Sequence, residues 1–355
     1  MEHGPYSNLK ILWHPDKLAA LRKGNVTAPL YVRIKPTNRC NHRCFYCSYA
    51  DAKLKLRKAV DLTDEIPWPR LKKVILDMAQ MGVKAVTFSG GGEPLLYPRI
   101  TEALDLVKQK KMDLSMITNG QLLKGKAARS LYDAKWVRIS LDSADAKTFA
   151  KVRGVPEHFF RELLKNIKEF ARKKKKHCEL GINVVITDKN CAQVYAMAKL
   201  MKSLGANHIK YTARITKDLF SYHKKFKHRT IAQINKAKKE LEDSRFKIIN
   251  KYEDDFRLSM VFERSYAHCP MMQIVTIVAA DSKVYLCHDK AYVPGGELGD
   301  LRRRSFKAIW RSPGTKALFR TFNARKKCRH HCVYDERNLL INQVLQPPDA
   351  HVNFI

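Results

Sequence analysis

The sequence predicts an α/β fold in which six strand–helix units form a parallel sheet, followed by a small α+β extension. Three observations carry this. Strand-like apolar runs alternate with amphipathic helical stretches from residue 30 to about 245. Glycines, cysteines and polar residues cluster where those strands end. Beyond residue 245 the alternation gives way to a hairpin and short helices. Alternation of this length produces right-handed βαβ units, and ligands of such sheets bind at the carboxyl ends of the strands. Periodicity by itself fits an open doubly wound sheet or an incomplete barrel.

In chain order, residues 1–29 are an N-terminal segment without clear period, 30–245 the core and 246–355 the extension. Residues 30–34 read as a strand running into Pro36-Thr37-Asn38-Arg39-Cys40, and 69–81 as an amphipathic helix ended by Gly82. The strand at 85–88 stops in Ser89-Gly90-Gly91-Gly92-Glu93-Pro94, and a helix follows over 98–110. A strand at 113–117 ends at Thr118-Asn119-Gly120, with a helix near 122–133. The strand at 136–141 stops at Asp142-Ser143 before a long helix over 157–175. Strands at 180–186 and 207–212, with helices at 190–204 and 228–243, complete six units. In the extension, 273–279 and 283–287 read as a hairpin, followed by helices near 304–311, 313–322 and 335–345.

Composition narrows the classes. The 355 residues are 45% hydrophobic, enough for a sizeable core, and no uncharged apolar run is long enough to span a bilayer. The start, Met1-Glu2-His3-Gly4-Pro5, lacks the pattern of a secretory signal, so a reducing cytoplasm is expected. There, nine cysteines, an odd number, suggest metal binding or chemistry rather than a disulfide framework. With 68 Lys+Arg against 34 Asp+Glu, the formal net charge of +34 favours anionic partners.

Three cysteines, Cys40, Cys44 and Cys47, lie within eight residues as C-x3-C-x2-C. Soft thiolates suit zinc or iron–sulfur clusters. A zinc site of three cysteines and His42 is the plain alternative, strained because His42 is two residues from both Cys40 and Cys44. Three thiolates on a four-iron cluster leave one iron open for chemistry.

This pattern, with Tyr46 just before the last cysteine, resembles the signature of the radical SAM enzymes. The resemblance covers about residues 30–215 and implies a partial (β/α)6 TIM-type barrel, which agrees with the six units. It implies a [4Fe-4S] cluster on Cys40, Cys44 and Cys47 whose open iron binds S-adenosylmethionine, and reductive cleavage to a 5′-deoxyadenosyl radical that takes a hydrogen atom from a substrate carbon. It implies further cofactor-side residues: Tyr46 beside the adenine; Gly91, Gly92 and Glu93 as the family's GGE motif, the glycines admitting the methionine part; Ser140 and Asp142 in the ribose and carboxylate region; Asn119 and Arg153 by weaker correspondence.

A second set, Cys269, Cys287, Cys328 and Cys332, brackets the hairpin and opens the last helical segment. It resembles the Twitch and SPASM extensions of radical SAM enzymes, and four cysteines imply one auxiliary [4Fe-4S] cluster of the Twitch form. A structural zinc on the four cysteines is the alternative. Cys178 reads as a buried thiol. Cys191, after the fifth strand, is a candidate hydrogen-atom donor or a small buried residue.

Residues 301–334 hold eleven Lys/Arg and no Asp or Glu, beside Cys328 and Cys332. An acidic electron donor such as a flavodoxin, or the phosphates of a nucleotide-linked small-molecule substrate, suits such a face. Nucleic acid ranks below both, since no nucleic-acid module accompanies the charge. The expected function is a radical SAM oxidoreductase acting on a sugar or cyclitol. Redox-neutral epimerisation or dehydration, and maturation of a ribosomal peptide, are the other enzymatic readings; an iron–sulfur electron carrier and a zinc-bearing RNA-binding protein are the non-enzymatic ones.

Overall fold

The structure, a computed structural model, describes residues 6–49, 60–216, 218–259, 263–330 and 332–346. Ten strands form one sheet: β1 (Tyr31–Ile34), β2 (Ala85–Phe88), β3 (Asp113–Thr118), β4 (Trp136–Ser140), β5 (Glu179–Ile186), β6 (His208–Ala213), β7 (Lys247–Asn250), β8 (Val275–Val278), β9 (Lys283–Tyr285) and β10 (Glu297–Asp300). Their order is β10-β9-β8-β1-β2-β3-β4-β5-β6-β7.

Strands β1 to β7 lie in sequence order and pair in parallel. A doubly wound sheet reverses its strand order at a switch point; this one does not. Right-handed crossovers that all run one way put the helices on one side, and strand twist curls the sheet as a barrel wall. The barrel stays open, because β8 takes the other edge of β1 and β7 ends the sheet.

Alternation along each strand separates two faces. Val32, Ile34, Val86, Phe88, Met116, Val137, Ile139, Ile182, Val184 and Ile209 are fully buried in the main core. Against them pack Leu71, Val74 and Met78 from the helix Trp68–Met81, Leu163 and Ile167 from His158–Lys173, and Met197 and Met201 from Val194–Ser203. Each such side chain stabilises the fold by about 1.5–3 kcal/mol. The residues between them face the lumen and are largely polar: Arg33, Thr87, Ser115, Arg138, Asn183 and Lys210.

Several elements were not anticipated. The helix Ala146–Arg153 starts where the Asp145 side chain accepts a bond from the Thr148 backbone N–H. Strand β7 adds a seventh parallel strand just past residue 245, and β10 adds a third strand to the hairpin. In the N-terminal segment, Asn8–Trp13 is a 3-10 helix and Pro15–Arg22 an α-helix. The latter showed no apolar stripe because Lys17 takes a buried position, its ammonium on Thr27 Oγ1 at 2.8 Å and Ala28 O at 3.0 Å. Among the described residues no helix is long and apolar enough to cross a membrane.

Candidate active site

The chain leaves β1 at Ile34 and enters the cysteine loop, which backbone bonds hold from two sides. Gly92 N–H donates to Thr37 O (3.1 Å) and Glu93 N–H to Arg39 O (2.8 Å). On the other flank Arg43 N–H donates to Arg153 O (2.9 Å) and Phe45 N–H to Val152 O (3.3 Å). A turn closed by Cys47 N–H on Cys44 O (3.0 Å) brings those two thiols to one side. Cys40, Cys44 and Cys47 all line a cavity of about 390 Å³, within the range of small-molecule sites. Its walls include the expected strand ends, Gly90 to Glu93 after β2, Thr118 and Asn119 at β3 and Ser140 at β4, and add Val185 on β5 and Ala213 to Ile215 at β6.

Gly91 and Gly92 line the cavity and also meet the cysteine loop. A Cβ on Gly91 would lie 1.9 Å from Asn38 Oδ1, and one on Gly92 2.0 Å from Arg39 O. Both positions therefore stay bare so that the Gly-rich turn can press onto the cysteine loop. Asn38 is fixed in turn by Tyr292, whose hydroxyl donates to its Oδ1 at 2.7 Å.

Glu93 is buried and joins two strand ends. Its Oε1 accepts from Leu95 N–H (3.0 Å) and the Thr118 hydroxyl (2.6 Å), and its Oε2 from Asn119 N–H (2.7 Å). Burial raises its pKa against the pull of those bonds. Asn119 extends the chain of contacts, its amide donating to Asn41 Oδ1 in the cysteine loop at 2.7 Å.

Asp142 does not line the cavity; it sits behind the wall with positive φ (71°), fully buried. Its Oδ2 pairs with Arg153 Nη2 at 2.8 Å and accepts the Tyr46 hydroxyl; its Oδ1 accepts Val185 N–H at 2.7 Å. Arg153 also donates from Nη1 to Cys44 Sγ at 3.6 Å. Burial raises the Cys44 thiol, and Arg153 opposes that rise. A guanidinium held against the thiol favours its thiolate, the form that ligates metal.

Ser140 and Tyr46 line the cavity; Cys191 does not. The Cys191 thiol bonds to Asp188 O at 3.6 Å, and its carbonyl accepts from Gln233 of the helix Lys227–Leu241, on the outer layer. Cys178 is fully buried, as expected. Tyr211 is core, its hydroxyl donating to Val194 O. His42 lines the cavity as well; it is buried, with its ring edge-on to Phe149 at 6.0 Å.

Cys269, Cys287, Cys328 and Cys332 converge on a second, enclosed hole walled by Met271, Met272, Leu286 and Phe322. Asn338 organises it, its Oδ1 accepting from Cys269 Sγ (3.5 Å) and Met271 N–H (3.1 Å). Asp335 holds the Tyr266 hydroxyl (2.7 Å) and Arg264 (2.9 Å). Burial pushes the Cys269 thiol up to about 12 and raises Cys287, Cys328 and Cys332. Among the described residues no group of three or more His, Cys, Asp or Glu side chains is already drawn together around a single-ion site.

The two sites lie at opposite ends of the barrel wall. The cysteine loop follows the carboxyl end of β1, whereas β8 begins beside Tyr31 at the amino end of β1, and Cys269 precedes it. The residues that the motifs did not reveal are the lumen cations Arg33, Arg138 and Lys210. The available signal was a single Arg or Lys at an inward position of each apolar strand, YVRI, WVRIS and HIKYTA.

A profile of the radical SAM superfamily matches residues 34–200, and one described as an iron–sulfur cluster-binding domain, SPASM, matches 269–333. The chain is 39% identical over 129 residues to a GTP 3′,8-cyclase of Microcystis aeruginosa, which covers 35% of this chain and 38% of that protein. A GTP 3′,8-cyclase of Nostoc punctiforme is 36% identical over the same shares. The chain thus matches little more than a third of these curated relatives. Among solved structures, Streptococcus suis SuiB bound to S-adenosylmethionine aligns with a TM-score of 0.64 at 16% identity, over 94% of this chain and 78% of that one. The anSMEcpe structure with bound AdoMet and Cp18Cys peptide gives 0.58 at 18%, over 87% of each. Likeness at such identities shows a shared fold. On the match of the two profiles, the chain belongs to the radical SAM superfamily, carries a SPASM-type extension, and has S-adenosylmethionine and iron–sulfur clusters as its cofactors.

Proposed function

We propose that this chain is an oxidoreductase of its superfamily: it cleaves S-adenosylmethionine reductively, removes a hydrogen atom from a substrate C–H bond, and oxidises or remodels a sugar or cyclitol, free or nucleotide-linked. The observation that carries the reading is the pairing of an open three-thiol cavity with an enclosed four-thiol hole across one barrel. Loaded, such a chain has a one-electron donor that splits S-adenosylmethionine into methionine and a 5′-deoxyadenosyl radical, and a second cluster at hand as electron acceptor. Cys40, Cys44 and Cys47 hold the first [4Fe-4S] cluster in this reading, and Cys269, Cys287, Cys328 and Cys332 the second. Functionally the chain divides into a barrel over 30–245 and a cluster-bearing region over 246–355.

The remaining residues bind and orient. Arg153, fixed by Asp142, sets a positive charge beside Cys44. Glu93 keeps the ends of β2 and β3 in register with the cysteine loop, and Ser140 and Asn119 offer polar atoms to the nucleoside and methionine parts. The basic run at 302–329 is the docking face for an acidic electron donor.

A redox-neutral rearrangement of a nucleotide is the second reading, favoured by the GTP 3′,8-cyclase relatives. Iron, sulfide and 5′-deoxyadenosine, measured after anaerobic reconstitution and dithionite reduction, test the main proposal. About eight irons per chain in wild type, about four in the Cys40→Ala/Cys44→Ala/Cys47→Ala variant, and 5′-deoxyadenosine from wild type alone are expected. Zinc without iron, or no 5′-deoxyadenosine from wild type, would sink it.

A further inference from the structure

The lumen below the cavity is unlike a packed barrel core. In ordinary (β/α) barrels this layer is filled with branched apolar side chains. Here the inward positions carry Tyr31, Arg33, Thr87, Ser115, Arg138, Asn183, Lys210 and Thr212, while their neighbours Val32, Val137, Ile182 and Ile209 fill the outer core. Arg138 shares its face with Ser140, two residues up the strand, so it lies about 7 Å beneath a residue that lines the cavity. Lys210 is in register with Asn183, which is in register with Ser140. Arg138 therefore stands below the cavity and Lys210 at the level of its Ser140 wall, on the lumen side.

Their charges are poorly matched by the fold. Lys210 makes no hydrogen bond or ion pair among the described residues; it lies within Coulombic reach of Arg138, Arg33 and Lys251, with Asp255 as its opposing charge. Asp255 is itself engaged, its Oδ2 accepting Ala213 N–H at 2.7 Å. The Nε of Arg33 and the Nε of Arg138 are buried without a hydrogen-bond partner. The contacts these residues do have are aromatic and neutral. Arg138 Nη1 donates to the Tyr6 hydroxyl at 3.1 Å, Lys210 Nζ lies 5.2 Å from the Tyr6 ring, and Tyr334 is near Arg33. Holding like charges together in a half-buried lumen without an anion is unfavourable, whereas a bound phosphoryl group would turn that cost into charge-assisted hydrogen bonds.

We infer that Arg33, Arg138 and Lys210 form a phosphoryl-binding subsite in the barrel lumen that anchors the anionic end of the substrate beneath the S-adenosylmethionine cavity. This deepens the proposed function and rests on it for the word substrate. Two arginines suit the planar, bidentate side of phosphate recognition and the lysine supplies a point charge. Tyr6 floors the subsite, and Tyr334, which also lines the auxiliary hole, flanks it. A ligand tethered there has its next carbons directed up toward the cavity that holds Cys40, Cys44 and Cys47.

The test is calorimetric titration of pyrophosphate into the reconstituted, S-adenosylmethionine-bound enzyme. Wild type is compared with Lys210→Met, Arg138→Met and the surface variant Arg302→Gln/Arg303→Gln/Arg304→Gln. Saturable binding by wild type, weakened at least about tenfold in both lumen variants and kept in the surface variant, is the expected result. Lys210→Met should also melt above wild type, because it removes a half-buried ammonium set among like charges; that readout stands even where Arg138→Met fails to fold. No saturable binding by wild type, undiminished binding by Lys210→Met, or loss of binding in the surface variant alone overturns the subsite. The two readings fail separately: a wild type that binds pyrophosphate but forms no 5′-deoxyadenosine under dithionite defeats the proposed function and leaves the lumen anion site standing.

Discussion

The two cysteine sites solve one problem in opposite ways. Cys40, Cys44 and Cys47 come from a single short loop and face an open cavity of about 390 Å³. Cys269, Cys287, Cys328 and Cys332 come from three separate stretches and face an enclosed hole between Met271, Met272 and Phe322. The first set leans on the barrel for its shape, through Gly92, Glu93, Arg153 and Asn119. The second set ties distant stretches of chain to one another, with Asn338 and Asp335 as its inner frame. The lesson concerns ligand distribution. A local trio leaves room and a coordination position for chemistry, while a distributed quartet makes metal binding part of folding.

That contrast can be broken experimentally. Cys287→Ser should lower anaerobic stability by more than about 3 kcal/mol, read as a drop in melting temperature together with loss of iron. The Cys40→Ala/Cys44→Ala/Cys47→Ala variant should lose iron with little change in melting. Equal melting of Cys287→Ser and wild type would dissolve the distinction. Next in size is Arg153→Met, which strands the fully buried Asp142 without its 2.8 Å partner. A loss of about 3 kcal/mol is expected in chemical denaturation, and an unchanged midpoint would show that Asp142 is not held as a charge.

Gly91→Ala sharpens the comparison at the open site. Its Cβ would meet Asn38 Oδ1 at 1.9 Å, so the Gly-rich turn must withdraw from the cysteine loop at a cost of about 1–3 kcal/mol. Weaker retention of iron during gel filtration would report the same withdrawal, and full retention would refute the packing role. The smallest effect concerns pH. His223, on the wall behind Arg214, is fully buried; its Nε2–H donates to Arg214 O at 3.1 Å and its Nδ1 accepts from Tyr252 at 2.9 Å. Burial lowers its pKa to about 4. The unfolded chain takes this proton near pH ~6.5 and the folded chain only near 4, so stability falls as pH drops through that window. The slope is at most about 1.4 kcal/mol per pH unit, and His223→Gln should flatten this part of the stability profile; identical profiles would remove His223 from the account.

Much of this was legible in the sequence, for identifiable reasons. Strands β1 to β6 alternate cleanly because one face is packed under helices, and the cysteine loop carries its spacing within eight residues. Strands β7 and β10 are four residues each, and ELGD at β10 has no apolar alternation to read. Gly91 and Gly92 were legible as positions that need space, but a turn motif does not show that the cysteine loop is one of the neighbours that needs it. Cys191 looked like part of the site from its place after β5, yet a 3-10 turn carries it to the outer layer. The lumen cations were hidden for a related reason: an inward Arg or Lys in an alternating strand has the same pattern as one facing solvent. Their places around the hairpin and before the last helix revealed the auxiliary cysteines, but their position at the amino end of β1 follows from a pairing between β1 and β8 that no local pattern encodes.

That pairing has an engineering consequence. Strand β1 is hydrogen-bonded to β2 on one side and to β8 on the other, so the element that launches the cysteine loop is also the anchor of the region carrying Cys269 and Cys287. The C-terminal portion is therefore not a detachable cassette. Cutting the chain near residue 245 would bare one whole edge of β1, strip its neighbour Tyr31 of the packing it shares with Val275 and Cys287, and expose a strand edge able to recruit another chain. Chimaeras that exchange this region between related enzymes should inherit or lose both redox stations together, and their junctions belong in the hairpin turns around Asp281 and Gly295 rather than at the barrel's end.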